Sequence, residues 1–482
     1  MKKLLLLTLT LSSLYSPLTG LAQDKWDLRR CVDYAVANNI SVKQADVQAR
    51  LAKLTLEQSQ WNQIPTLGLG SQFGVKSGNT QNPNNFTLST QTYALNNYQL
   101  QTSVTAFNFL SLRRAVEASR LSWQAALANT DRTKNDISLN VANAYLQVVL
   151  SMEQTEASQL QLHLSQNQLD ITRKQVKAGS LPELNAAELE AQVAQDSATY
   201  INSKGNIQLN ILQLKAYMDL DASFPFDVYA PPVEDIPIEQ IADLQPEAVY
   251  SLALANQPLQ KYDALNIASA RKTVASNKGA MYPTLSVIGQ LGAGWISNFP
   301  EPDFNKTPLL SVDTLYALHQ VGSNAVFTQT NVAVATKQKP FFPQLRQTFN
   351  QFVGINLNIP ILQNGTLHIN YARSKLNLRN LELQRDQDNL TLKQNIYQAY
   401  TAAITALQKF EANKISVTAT QKSFEYSQKR YNVGMLNTID LLTNQNNFFN
   451  ARINLLSSQF DYVFKMKVLE YYKGLGIKLT KQ

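Results

Sequence analysis

The sequence predicts an α+β membrane protein in which one unit of short strands and very long helices occurs twice. Two stretches without Gly or Pro, 111–178 and 366–433, are each 68 residues long, and a glycine follows each of them. A second helical pattern begins a few residues later in both halves. A constant shift of 255 residues pairs Asn140 with Asn395, Tyr145 with Tyr400, Tyr217 with Tyr472 and Leu220 with Leu475. Self-similarity at a fixed shift predicts an internal two-fold repeat.

The repeat also predicts how the chain is divided. Upstream of the long helices the shift is 218 residues, and it pairs Ala37-Asn38 with Ala255-Asn256 and Pro65-Thr66-Leu67 with Pro283-Thr284-Leu285. We therefore expect a first repeat over 23–223, a proline-rich linker over 224–243, a second repeat over 244–475 and a tail over 476–482.

Residues 1–22 have the pattern of a secretory signal peptide. Two lysines precede an apolar run from Leu4 to Leu14, and Gly20-Leu21-Ala22 is typical of a cleavage site. The apolar run is too short to span a bilayer as a helix. Cys31 lies beyond the cleavage site, so we expect no lipid anchor there. A lone cysteine cannot form an internal disulfide, and we expect it to be buried.

Composition excludes some partners and points to a membrane. The formal net charge is +8, or +6 without the two lysines of the signal peptide, and the basic residues are scattered, so no nucleic-acid binding is expected. Charged residues make up only 16% of the chain, against roughly 25% in ordinary soluble proteins. After the signal peptide there is no apolar stretch of about 20 residues, so any membrane-spanning part must be a barrel.

Four segments alternate between apolar and polar residues, which predicts strands with one apolar face. They are 66–76, 98–109, 284–296 and 350–361. Each is about 11 residues long, as a tilted membrane-spanning strand requires. A half-buried sheet in a soluble domain shows the same alternation. The signal peptide, the lack of an apolar helix and the nearly uncharged polar faces together favour the membrane.

Four strands cannot close a barrel, and open edges are not tolerated in lipid. Two chains would supply eight strands and a filled interior, whereas three would supply 12 and an aqueous lumen. We therefore expect a homotrimer with a 12-stranded barrel if the barrel is a pore. Turn residues at Ser77-Gly78-Asn79 and Asn82-Pro83-Asn84 predict the first hairpin connection. The second connection, 297–348, is much longer, and we expect a lid, an epitope or a variable outer loop.

The helical stretches are too long for a globular domain. A helix of 68 residues is about 100 Å long, which predicts coiled-coil packing. The second helices are predicted at 183–218 and 437–473, and shorter ones at 26–64 and 246–278, the latter broken at Pro258. Their remaining faces carry Asn, Gln, Ser and Thr, which suits a wall around a water-filled interior. A solvated structural or adhesive coiled coil on the cell surface is the alternative, although such a rod would be richer in Glu and Lys.

The turns between the long helices carry the most specific motifs. They read Gln175-Val176-Lys177-Ala178-Gly179-Ser180-Leu181-Pro182 and Arg430-Tyr431-Asn432-Val433-Gly434-Met435-Leu436-Asn437. Glycine fits the left-handed position that ends a helix. Together with Cys31-Val32-Asp33-Tyr34-Ala35 and Asn38-Asn39, these turns resemble the TolC-like outer-membrane factor family over essentially the whole mature chain.

This resemblance implies a fold, a location and partners. Three chains would form a 12-stranded outer-membrane barrel continuous with a long coiled-coil tunnel in the periplasm. The tunnel tips would dock a periplasmic adaptor attached to an inner-membrane pump of the RND or ABC class. The channel would pass drugs and other small toxic solutes to the exterior; the outer channel of type I protein secretion is the alternative.

The resemblance also implies roles for residues at the tips. Asp440 matches an acidic position that narrows the entrance, while Thr443 and Asn185 stand at related positions without a charge. Tyr431 and Arg430 belong to a network that holds the entrance closed, and Leu436 occupies the place of an arginine partner. Adaptor docking is implied for Gly179, Ser180, Leu181, Gly434, Met435 and Leu436. An acidic residue in the first turn of a helix is also favoured by the helix dipole alone.

No pattern of catalytic or cofactor-binding residues stands out. The three histidines are isolated, and there is no phosphate-cradling glycine loop and no Gly-x-Ser-x-Gly elbow. We therefore expect no enzyme, no metal and no cofactor, and expect that a partner supplies the energy for transport.

Overall fold

The computed structural model describes residues 25–81, 88–230, 236, 238–303 and 336–474. The predicted signal peptide, the turn Asn82-Pro83-Asn84, part of the linker, the middle of the 297–348 connection and the predicted tail lie outside the described residues. The chain divides into two compact units. One is helical and contains the described residues up to Leu54, Ser119–Ala270 and those from Asn377 on; the other contains Thr55–Ala118 and Arg271–Leu376.

Groups of helices are separated by strands along the chain. They are α1 (Leu28–Asn38), α2 (Ile40–Trp61), α3 (Ser111–Lys177), α4 (Glu183–Met218), α5 (Pro246–Asn256), α6 (Pro258–Gly279), α7 (Phe341–Thr348), α8 (Thr366–Asn432) and α9 (Thr438–Tyr472). The strands are β1 (Thr66–Gln81), β2 (Leu88–Phe107), β3 (Thr284–Ile296), β4 (Pro300–Pro302), β5 (Thr336–Gln338) and β6 (Asn350–Asn358).

Where one helix was predicted over 26–64, the structure has two, because Asn39 interrupts the helix. Its side-chain amide donates to the carbonyl of Tyr217 (2.8 Å), and its side-chain oxygen accepts from the backbone of Ser41 (2.8 Å). At the break before Pro258, Gln257 donates to the carbonyls of Tyr471 (2.8 Å) and Tyr472 (3.1 Å). Each short helix is thus fastened to the end of a later one.

The main sheet is antiparallel, in the order β1-β2-β3-β6. Its register places Leu69 opposite Leu100, and Leu100 opposite Leu291, so the predicted apolar positions share one face. The polar positions of all four strands share the other face.

Three strands differ from their predicted bounds, and β6 ends at Asn358 instead of 361, because Pro360 has no backbone N–H to pair. β1 and β2 pair beyond the alternating segments, so Ser77-Gly78-Asn79, predicted as a turn, lies within β1. The hydroxyls of Ser77 and Thr92 lie 2.8 Å apart, which shows that polar cross-strand bonds extend the ladder where apolar alternation stops. β2 ends at Phe107 instead of 109, because Phe109 and Leu110 have φ of 51° and 64°, which no strand accommodates.

The long connection before β6 contains a short helix, α7, which sequence analysis did not predict. β6 pairs with β3 only as far as Gly292. Beyond that point the backbone of Gly294 bonds to Thr348 Oγ1 (2.9 and 2.7 Å), and that of Ile296 bonds to the amide of Gln344 (2.5 and 3.0 Å). Side chains of α7 therefore take the place of a strand on the last residues of β3.

The helical unit is packed around separate apolar clusters. The largest includes Val42 of α2, Tyr145 of α3 and Met218 of α4, together with the fully buried Cys31. Burial raises the pKa of the Cys31 thiol to about 12, so it remains a neutral, unreactive packing residue. A second cluster joins Ile396 of α8 to Met466 and Leu469 of α9 and to the short helices before α6.

Candidate functional site at the helical tips

Two tight turns join the long helices, α3 to α4 and α8 to α9. Gly179 and Gly434 both have φ of 74°, and a Cβ at either position would meet no atom within 4 Å. The glycines are therefore required by backbone conformation and not by crowding. In the second turn Gly434 N–H donates to Tyr431 O (2.9 Å) and Met435 N–H to Arg430 O (2.8 Å).

The first turn has the same pair of bonds, from Gly179 to Val176 and from Ser180 to Gln175. Both turns are thus Schellman motifs, which end one helix and reverse the chain within a few residues.

The tips expose apolar side chains to solvent. Met435 is 67% exposed, and Val433, Leu184 and Ile439 are similarly open. Ser180 is also exposed, whereas Leu181 and Leu436 are half-buried. Large apolar groups at the end of a helical hairpin are typical of a surface that contacts another protein.

Tyr431 does not lie on the surface of the tip. Its ring is buried with Phe424 and Leu441, and the half-buried Leu436 packs against this group. Its hydroxyl lies 3.2 Å from Oγ1 of the fully buried Thr172 on α3. The hydroxyl pair therefore ties α8 to α3 just before the turn.

Arg430 points elsewhere. Its guanidinium donates to the carbonyl of Met435 at 3.4 Å, so it caps the turn that follows its own helix. Within one chain the structure brings Leu436, and not Arg430, to Tyr431.

Asp440 and Thr443 lie on the first turns of α9, and both are exposed. Asn437 begins this helix by accepting the backbone N–H of Asp440 on its side-chain oxygen (2.7 Å). Asn185 is half-buried on α4, where Pro182 precedes the helix without a side-chain cap. No hydrogen bond within the described residues joins Asn185 to Asp440 or Thr443.

A buried polar cluster farther along the helices was missed in the sequence. Asp196 of α4 accepts hydrogen bonds from Ser165 of α3 (2.5 Å) and Gln192 (2.9 Å). Gln445 of α9 donates to the Ser165 hydroxyl (2.7 Å), and Gln192 and Asn446 exchange two bonds of 3.2 Å. The sequence did carry a signal for this cluster, because its polar residues stand at positions that helical periodicity assigns to the buried face of each helix.

Comparison with known proteins decides the family. A family model described as outer membrane efflux protein matches residues 32–219 and 249–463, which is most of the chain. The chain belongs to the outer membrane efflux protein family.

Relatives of known sequence or structure are distant but cover nearly the whole chain. TolC of Salmonella enteritidis is 20% identical over 98% of this chain and 86% of its own length. TolC of Escherichia coli K12 is also 20% identical, over 96% of this chain and 84% of its own.

Solved structures share the fold. The Campylobacter jejuni CmeC outer membrane channel superposes with a TM-score of 0.71 at 17% identity, covering 94% of this chain and 87% of its own. VceC from Vibrio cholerae superposes with a TM-score of 0.69 at 14% identity, covering 94% and 97%.

Membership of the outer membrane efflux protein family confirms four predictions: the family resemblance, the α+β channel fold, the outer-membrane location and the role of an efflux channel. In the part of the chain that the structure describes, no helix is both long and apolar enough to cross a membrane.

Proposed function

We propose that three copies of this chain close into one export conduit for small molecules, which receives its cargo from a periplasmic adaptor and an inner-membrane pump. The observation that carries the proposal is that a single chain has open edges, both in its sheet and in its helices. Each edge carries the groups that a second copy would satisfy.

The sheet has two unpaired edges. Within the described residues β1 pairs only with β2, and β6 only with β3. Unpaired backbone groups are not tolerated in lipid, so other copies must cover both edges. Three copies would close a ring of 12 strands, wide enough for an aqueous lumen.

The helices next to the sheet, α2, α3, α6 and α8, also leave two sides open. Val42 of α2 shares a cluster with core residues of α3. Lys272 of α6 pairs with Glu117 of α3 at 2.8 Å, and Asn277 of α6 donates to Asn370 of α8 at 3.4 Å. In one compact unit α2 thus lies near α3, and in the other α6 contacts both α3 and α8. We infer that α2 and α8 are the outermost of these four helices.

Both outermost helices carry an exposed apolar stripe with a spacing of seven residues. The stripes are Ile40, Val47, Leu54 and Trp61 on α2, and Ile369, Leu376, Leu383 and Leu390 on α8. Such a repeat is the pattern of a coiled-coil seam. Because α2 leads into β1 and α8 follows β6, the two helices of neighbouring copies would run antiparallel. Val47 would then lie opposite Leu383.

Cysteine cross-linking tests this pairing. Cys31 is buried, so the variant Val47→Cys/Leu383→Cys presents two new reactive thiols per chain. Mild oxidation should yield covalent dimers and trimers on a non-reducing gel. The matched control is Gln48→Cys/Leu383→Cys, because Gln48 is exposed but turned about 100° around the helix. Equal cross-linking in both variants, or in neither, would contradict the pairing.

Conductance and export test the wider proposal. The purified protein in detergent should be a trimer and should conduct in planar bilayers, whereas a monomer without conductance would refute the conduit. A deletion strain should become sensitive to drugs while its secreted proteins are unchanged. Loss of a secreted protein without drug sensitivity would assign the chain to type I secretion instead.

The exposed apolar tips support adaptor docking at Gly179, Ser180, Leu181, Gly434, Met435 and Leu436. Met435→Asp should abolish cross-linking to the adaptor without changing the trimer, since the Met435 side chain is 67% exposed. Cross-linking at the wild-type level would place the docking surface elsewhere.

A further inference from the structure

Two carboxyl groups from different helices face each other inside the helical unit. Asp263 of α6 is only 6% exposed, and its Oδ2 atom has no hydrogen-bond partner within the described residues. The carboxyl group of Asp388 on α8 lies within hydrogen-bonding reach of it. Oδ1 of Asp388 accepts from Gln384 at 3.1 Å. Two carboxylates can make a hydrogen bond to each other only when a proton lies between them.

The nearby cations are already paired with other carboxylates. Arg385 on α8 donates to Asp386 at 2.7 Å, and Arg132 on α3 lies 3.7 Å from Asp136. Neither arginine forms an ion pair with Asp263 in the described structure.

The remaining titratable groups come from α9. The Tyr471 hydroxyl donates to Asp136, and both tyrosines line a cavity of about 540 Å³ to which Asp388 and Arg132 also contribute. Neither tyrosine supplies a positive charge. Nor do the described residues contain a group of His, Cys, Asp and Glu arranged to hold a metal ion.

We propose that Asp263 and Asp388 bind one shared proton and so form a pH-dependent contact between α6 and α8. The inference goes beyond the proposed export function and does not rest on it, because both residues belong to one chain. The shifts of 218 and 255 residues pair Asp263 with Ala45 and Asp388 with Thr133. The first repeat has no acidic residue at either position, so the packing of these helices does not by itself require one.

The direction of the effect follows from the proton balance. Burial, and then the Asp388 charge, raise the pKa of Asp263 from its ordinary value of 3.8 to about 6, although Arg132 and Arg385 act against this. Between these two values the folded chain holds a proton that the unfolded chain has lost. Stability contributed by the pair therefore falls as pH rises from about 4 to about 6 and stays low at neutral pH.

Infrared difference spectroscopy of the purified full-length protein tests the shared proton. The wild type should show a protonated-carboxyl C=O band that disappears with a midpoint near pH 6, and Asp263→Asn should lack it. Asn is isosteric, and its amide can donate to Asp388 at any pH, so the variant should fold. The matched control, Asp33→Asn, removes an exposed acid on α1 and should leave the band unchanged.

Asp388→Asn separates a shared proton from simple burial. If the pair binds the proton, the midpoint should fall by at least one pH unit, because the new amide donates to ionised Asp263. A midpoint that does not move would show that burial alone holds the proton and would overturn the pair. A band that survives in Asp263→Asn would overturn the site itself.

Discussion

At the scale of single residues, the tip depends on two hydroxyl groups. Tyr431 and Thr172 are both buried and lie 3.2 Å apart, and the described structure gives the Thr172 hydroxyl no other hydrogen bond. Removing one hydroxyl leaves the other unsatisfied, whereas removing both does not.

We expect Tyr431→Phe to weaken the tip by about 1 kcal/mol. Amide hydrogen exchange in the last turns of α3 and α8 should rise. Thr172→Val should do the same, and the double variant should lie close to the wild type. If the two single effects simply add, the hydroxyls do not act as a pair.

The sequence predicted which residues would be at the tip but not how they would be paired. Gly179 and Gly434 were identifiable because a glycine after a long helical pattern has one common conformational use. The role of Arg430 was not, because the direction of a long flexible side chain depends on the turn it caps. Thr172 was missed for a related reason: a threonine 259 residues away from Tyr431 carries no local signal.

At the scale of whole elements, α3, α4 and α9 are joined by the buried cluster around Asp196. Its carboxylate receives bonds from Ser165 and Gln192, and Gln445 extends the cluster to α9. Among the described residues no cation pairs with Asp196, so the hydrogen-bond donors compensate for its removal from water.

Asp196→Ala should therefore destabilise the helical unit by about 3 kcal/mol, since it leaves several buried donors without an acceptor. Thermal unfolding followed by circular dichroism measures the loss. Asp196→Asn, which retains one acceptor, should cost less. Asp170→Ala, an exposed acid on the same hairpin, is the control and should have little effect. Equal losses for the two alanine variants would contradict this role.

Sequence periodicity predicted the long helices closely, because Gly and Pro mark their ends. α3 ends at Lys177 where 178 was predicted, and α9 begins at Thr438 where 437 was predicted. The strands were harder. β1 and β2 continue through polar residues that alternation cannot detect, and α7 lies in a connection whose packing depends on β3, a partner remote in sequence.

At the scale of the assembled molecule, a ring of acidic residues at the entrance requires several copies of the chain related by symmetry. Asp440 is exposed on α9, with Thr443 one turn along the same helix, and one chain supplies only one such carboxylate at this position. In the proposed trimer three carboxylates would meet near one axis, and such rings favour cations.

Asp440→Asn should therefore shift the reversal potential in a salt gradient toward zero, with single-channel recording as the measurement. Thr443→Val, one turn along the same helix, should leave selectivity unchanged. An unchanged reversal potential in Asp440→Asn would show that Asp440 takes no part in ion selectivity. Its role would then be limited to the first turn of α9.

The side chains of α7 have a consequence for how such a protein avoids aggregation before it assembles. A newly exported chain waiting for its partners exposes backbone that any extended segment can join. Gln344 and Thr348 occupy the donors and acceptors of β3 that β6 does not reach. An extended segment of another chain therefore finds no free backbone groups to pair with at the end of β3, although β1 and β6 remain open as the edge strands of the main sheet.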